Sequence, residues 1–288
     1  MYENKAVFRI LQISTIFVFL GRAWQHFFFT GPYRALLWDE RRFSWVALNV
    51  FGQDWATWTT NLAVDRGVVL YSKIVAFLLL LGAVSVFFLP RRLRLARFII
   101  LLDAFLLLIL SLIYWKDHFF NLSQLFEYSI QVGAPVFLIF WTNKEAVNHQ
   151  RFFFLLRLVV AVSFVSHGLY ALGFYPTPGT YVEMSMAILG LSEDKSLIFL
   201  HLMGALDFMA AVMILLPYTK IVRVGLIYCV IWGFATALAR PIAFYYPEFW
   251  QESLFQWVYQ AVFRLPHGLL PLAGLLLLRP VNTFKKRF

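Results

Sequence analysis

Stretches long enough and apolar enough to cross a bilayer recur eight times along this chain. They fall at 7–29, 67–89, 98–115, 122–141, 152–175, 195–217, 222–246 and 254–278. A spanning helix needs about 20 apolar residues. In hydrocarbon the backbone has no water to bond, so such runs fold as helices that satisfy their own polar groups. The expected fold is therefore all-α: a polytopic membrane protein of eight transmembrane helices. Composition agrees, since 14% of residues are charged against roughly a quarter in soluble domains. The first run holds Arg22 and His26 and is followed by no A-x-A cleavage pattern. It is expected to be a retained span rather than a cleaved signal.

The net charge of +10 would ordinarily suggest a nucleic-acid partner. Here the bases crowd into short loops, which is the mark of membrane orientation, and no nucleic-acid partner is expected. One face receives Lys5 and Arg9, the four arginines of 90–97, Lys144 and Arg151, Lys220 and Arg223, and the tail bases Arg279, Lys285, Lys286 and Arg287. The other receives Asp39, Glu40, Asp54, Asp65, Glu183, Glu193, Asp194, Glu248 and Glu252, with fewer bases. The positive-inside rule then puts both termini in the cytoplasm, with the chain in the cell (inner) membrane.

The two halves resemble each other in order. "FLGRAWQHFFFTGPY" (19–33) parallels "SHGLYALGFYPTPGTY" (166–181), setting Gly21 with Gly168 and Thr30 with Thr177. "VVLYSKIVAFLLLLGAVSVFFLP" (68–90) parallels "SLIFLHLMGALDFMAAVMILLP" (196–217), setting Lys73 with His201. "LFEYSIQ" (125–131) parallels "LFQWVYQ" (254–260), setting Glu127 with Gln256 and Gln131 with Gln260. The expected organisation is two four-helix repeats of the same orientation, 1–141 and 142–288, with the site at their interface. The loop 30–66, rich in tryptophan, and the segment 176–194 read as short interfacial helices. Two roles stand open for them, a cap over a cavity and a plain interfacial collar.

Polar residues inside the runs gather at one depth. Counted from the outer end of each run, Arg22, Gln25 and His26, Lys73, Glu127 and Gln131, His167, His201, Arg240, and Arg264 with His267 form a layer in the outer half or near the middle. Asp207 lies near the centre and Asp103 toward the inner side. A charge at mid-bilayer costs about 2.5–3.5 kcal/mol on insertion scales, and Glu127 is the chief acid at that depth. The layer is either helix-to-helix glue or the lining of a cavity that opens outward. Pro266 has no N–H, so it frees carbonyls near Val262 and Phe263, which suits a helix lining a cavity. Glu127 is expected to pair with Lys73 or Arg264.

The four intramembrane histidines sit on different helices without metal-ligand spacing, and Cys229 is the only cysteine. No metal or haem is expected from that set. Histidines beside cations and aromatic walls suit a quinone headgroup, whose oxygens accept hydrogen bonds and become anionic on reduction. On that reading His267, His201, His167, Lys73 and Glu127 are the candidate proton-handling residues. Arg264, Arg22, His26, Gln131, Arg240 and Gln260 are the candidate ligand-binding residues.

A first span ending "FVFLGRAWQHFF" or "SFVSHGLYALGF", then an outer loop, then a span ending "GAVSVFFLP" or "AAVMILLP" resembles the DoxX-like superfamily, which is built on four-helix membrane units. The resemblance implies two such units and a quinone-linked role, either as an oxidoreductase or as an accessory membrane subunit with other redox partners. A weaker resemblance, to the horizontally transferred transmembrane domain shared with vitamin K-dependent carboxylases, would make Lys73 the base acting with a hydroquinone. Two further readings stay open: a carrier or flippase for an anionic lipid or small oxyanion, and a structural subunit of a larger complex.

Overall fold

The computed structural model describes residues 5–91, 94–142 and 148–278. The loop arginine Arg92, Lys144 and the basic tail Arg279, Lys285, Lys286 and Arg287 lie outside the described residues. The helices are α1 (Lys5–Phe28), α2 (Arg34–Leu37), α3 (Glu40–Asn49), α4 (Trp55–Thr60), α5 (Leu62–Ser85), α6 (Arg94–Asp117), α7 (Leu122–Glu127), α8 (Ser129–Thr142), α9 (His149–Ala171), α10 (Gly179–Leu189), α11 (Glu193–Leu215), α12 (Thr219–Ala243), α13 (Trp250–Arg264) and α14 (Pro266–Leu277). Among the described residues eight segments are long and apolar enough to cross a membrane, and they match the eight sequence runs one for one. The protein is an all-α, multi-pass membrane protein.

The spans close into two adjoining rings. In the first, α1 packs on α5, α5 on α6, α6 on α8, and α8 back on α1. In the second, α9 packs on α11, α11 on α12, α12 on α13 and α14, and α14 back on α9. The rings join where α1 lies along α13 and α14, and where α9 lies along α7 and α8. The seam between the halves is thus made by the first, fourth, fifth and eighth spans.

Two glycines allow the eighth span to sit deep in this seam. A Cβ at Gly21 would lie 2.7 Å from the Phe263 backbone nitrogen, and one at Gly233 would lie 2.3 Å from the His267 carbonyl oxygen. Both distances are shorter than any side chain tolerates, so the first and seventh spans approach the eighth backbone to backbone.

Two spans are broken, and both breaks lie in the seam. The eighth divides between Arg264 and Pro266, where the missing N–H of Pro266 removes a helical bond. Proline suits the first position of α14, where an N–H would have no helical acceptor. The fourth span divides at Tyr128, between Glu127 and Ser129. Beyond the break the Ser129 hydroxyl donates to the Val159 carbonyl of α9 at 3.0 Å.

The short helices collect at one end of the bundle. Lys116, at the last turn of α6, donates to the Ala35 carbonyl and pairs with Asp39 at 2.9 Å, which ties α2 and α3 to the third span. That hydrogen bond holds the Asp39 carboxyl below the usual carboxylate range. Arg34 pairs with Asp65 at 2.6 Å and ties the same loop to α5. No strand forms among the described residues.

Candidate ligand site

The seam holds a polar cavity of about 790 Å³. Its walls include Arg22 and Gln25 from α1, Tyr114 from α6, Glu127 from α7, Tyr170 from α9, Arg240 from α12, and Tyr259, Gln260, Phe263 and Arg264 from α13. Its mouth lies among Asp117, His118 and Asn121 on one side and Pro176, Thr177 and Thr180 on the other. This vestibule faces the end of the bundle that carries the short helices.

Behind it, inside the second ring, lies an apolar chamber of about 250 Å³. Phe199, Leu200 and Met203 of α11, Trp232 and Ala235 of α12, and Met184 and Ile188 of α10 line it. The chamber reaches the apolar outer surface at the exposed side chains of Ile188 and Leu189. Of the two roles open for the second interfacial segment, α10 takes the cap. The first loop contributes nothing to the vestibule or chamber lining.

Arg240, Arg264 and Tyr181 line both cavities, so they form the partition between water side and apolar side. Arg264 donates through Nη2 to Glu127 Oε1 at 2.6 Å, and the two groups are largely buried. This is the expected pairing of Glu127, made with Arg264 and not with Lys73. It joins the last residue of α7 to the last residue of α13, so one ion pair bridges both helix breaks.

Arg240 is different. The residue is only 7% exposed, yet its guanidinium makes no hydrogen bond or ion pair among the described residues. The Glu127 carboxylate acts on it only at a distance, and a buried cation without a hydrogen-bonded acid is costly unless something anionic or hydrogen-bond accepting completes it. Arg22, 3% exposed, is satisfied without an acid. Nε donates to Gln131 Oε1 at 2.8 Å and Nη1 to Gln25 Oε1 at 2.6 Å. Its guanidinium stands 3.9 Å from the Phe263 ring centre and 4.6 Å from that of Tyr128, close enough for cation–π attraction. Around the vestibule two buried arginines and the largely buried Arg264 therefore face one buried glutamate.

The helix break also sets the state of His267. At the break the Gly268 N–H turns to the Leu265 carbonyl at 3.0 Å, so the Arg264 carbonyl is left to accept from His267 Nδ1 at 2.9 Å. A carbonyl only accepts, so Nδ1 carries the proton and Nε2 of the neutral ring is an acceptor. That Nε2 is buried without a partner. The His267 and His167 rings lie 5.5 Å apart between centres. His167 Nδ1 lies 3.3 Å from the Tyr181 hydroxyl. Burial, then the nearby Glu127 charge, pushes the Tyr181 phenol up to about 12, so it stays a neutral donor at physiological pH. A line of exchangeable groups thus runs from the partition at Tyr181 through His167 to His267.

The structure brings Glu127, Arg264, Arg240, Arg22, Gln131, Gln260, His167 and His267 to the seam. Of these, His267 and Gln131 line neither cavity, and Lys73, His201 and His26 stand away from both. Lys73 and His201 have the expected depth, but both side chains are exposed on the outer surface. His26 is buried, with Nδ1 donating to the Arg22 carbonyl at 2.7 Å, and it faces a separate void of about 10 Å³ beside Tyr33 and Tyr71. Sequence reasoning passed over two chamber groups. Tyr181 arrives on α10, outside the spans, and only the Pro-Thr-Pro-Gly start of that helix hinted at a fold-back. Asp207, placed near the bilayer centre by its position, lies in the chamber wall and accepts from the Tyr228 hydroxyl at 2.8 Å.

Among the described residues no group of three or more metal-ligating side chains is assembled. Comparison with known protein families, with curated proteins and with solved structures finds no match to this chain.

Proposed function

We propose that the protein binds an amphiphile of the quinone class, with its apolar body in the chamber and one oxygen on Arg240, and serves as the quinone-handling membrane component of an oxidoreductase. The observation that carries this reading is Arg240, a buried and unpartnered cation in a wall between an apolar and a polar cavity. A quinone supplies two-electron, two-proton redox chemistry, and its ring oxygens gain negative charge on reduction. Arg240 holds such an oxygen by charge-assisted hydrogen bonds, which strengthen as that charge develops. Arg264, anchored by Glu127, keeps a second positive charge at the partition. Tyr181, open to the vestibule, and His167 are positioned to pass a proton between water and the chamber. The electron donor is a partner protein or a small anion in the vestibule. The resemblance of the span-ending motifs to the DoxX-like superfamily supports the same reading.

A second reading is favoured by the excess of buried arginines over acids at the vestibule: a carrier of an anionic lipid. Mass spectrometry of an organic extract of the purified protein separates the two. The first reading expects a quinone in near-stoichiometric amount, lost in Arg240→Met. A phospholipid that survives delipidation and is lost in the same variant would replace it with the second.

We further propose that both termini are cytoplasmic and that the vestibule opens to the outside, on the ground of the loop charges. With Cys229 replaced, single cysteines at the exposed positions Asn49 and Asn148 test this. A membrane-impermeant thiol reagent added to intact cells should label position 49 and spare 148. The reverse pattern would invert the topology.

A further inference from the structure

Lys73 has the depth of a site residue and none of its surroundings. On α5 it shares an exposed face with Arg66, Leu70 and Phe77, spaced four, three and four residues apart as one helix face requires. Seven residues separate the two bases, which is about 10 Å along the axis. Neither makes an ion pair among the described residues. The neighbouring Asp65 is taken by Arg34, and Lys73 stands only over the Phe27 ring, 5.7 Å from its centre. Long basic side chains reach along a helix toward the polar boundary, so Lys73 reaches from below toward the level of Arg66.

Beside this face lies a groove of about 390 Å³ between α5 and the loop helices α3 and α4. Phe43, Phe51, Trp58, Val64, Gly67 and Tyr71 line it. Its floor is open at Gly67, where an added Cβ would meet nothing within 4 Å. The outer face of α3 continues the apolar surface with Trp45, 69% exposed, and Leu48. An apolar slot at the membrane boundary next to two unpaired bases matches one kind of molecule in charge and shape.

We propose that this surface binds an anionic phospholipid of the surrounding leaflet, with its phosphate between Arg66 and Lys73 and one acyl chain in the groove under α3 and α4. The site is separate from the quinone chamber and does not depend on it. The bases supply sequence-independent attraction for the anionic headgroup, and the groove supplies the contact that distinguishes a bound lipid from a passing one.

The test uses the full chain purified in a neutral detergent, with dioleoyl phosphatidylglycerol or dioleoyl phosphatidylcholine added and retention read by native mass spectrometry. Wild type should retain the phosphatidylglycerol preferentially. The double variant Arg66→Gln/Lys73→Gln should lose about thirtyfold in that retention, the combined effect of two surface bases. Gly67→Leu, which fills the groove without straining the helix, should weaken both lipids. Arg240→Met should leave phosphatidylglycerol retention unchanged, which separates this site from the chamber. Equal retention of the two lipids by wild type, undiminished retention in the double variant, or full displacement by millimolar inorganic phosphate would each overturn the proposal.

Discussion

Glu127→Ala should lower the stability of the purified protein by about 3–5 kcal/mol, the cost of leaving one partner of a buried ion pair uncompensated. The abandoned partner is Arg264, whose Nε already lacks a hydrogen bond and whose Nη2 would lose its 2.6 Å contact. Because this pair joins the broken ends of α7 and α13, the loss should loosen both halves together and not one ring alone. The double variant Glu127→Ala/Arg264→Met should recover most of the stability, since an apolar pair needs no compensation in this setting. Thermal unfolding in detergent provides the measurement. A single variant within about 0.5 kcal/mol of wild type, the range of a solvated surface pair, would show that water screens the pair and that the two halves are not locked through it.

Arg240→Met should do the opposite to stability and more to binding. Removing a buried cation that has no protein partner relieves a desolvation cost, so the ligand-free protein should unfold at the same temperature or higher. Ligand affinity should fall about ten- to a hundredfold, the worth of a hydrogen bond from a charged donor. The combination is diagnostic, because a residue that merely holds helices together loses stability when truncated. If Arg240→Met unfolds earlier and binds as before, Arg240 is structural glue and the partition is not a ligand site.

Depth was legible in the sequence and direction was not. A run of some twenty apolar residues leaves few alternatives, so each span was found to within a few residues. The starts of the second and eighth spans were the least exact, where the polar stretches "LAVDR" and "WQES" hid the first turn of α5 and of α13. The break at Pro266 was visible because proline lacks a donor. The break at Tyr128 was not, because no proline or glycine stands there and the local turn depends on contacts such as Ser129 with Val159 across the seam. Lys73 and His201 were placed with the site by counting along their helices, and the counting was sound. Which side of a helix faces its neighbours is a separate question. On α5 the answer lay in small and slender residues, Ser72, Val75 and Ala76, facing inward while Leu70 and Phe77 face outward with Lys73. Apolar content carries no such signal in a membrane, where lipid and protein interior are equally hydrophobic.

The void beside His26 has a bearing on stoichiometry. The register that sets Lys73 with His201 also sets Tyr71, Val75 and Leu79 with Phe199, Met203 and Asp207. The first three border the void of about 10 Å³ and the last three the chamber of about 250 Å³. In the first ring the corresponding space is shut by tyrosine and leucine, and a leucine stands where the second ring has its aspartate. A photoreactive ligand analogue should therefore mark one half of the chain only, at a saturating ratio of one per molecule, although both halves are built from rings of the same connectivity.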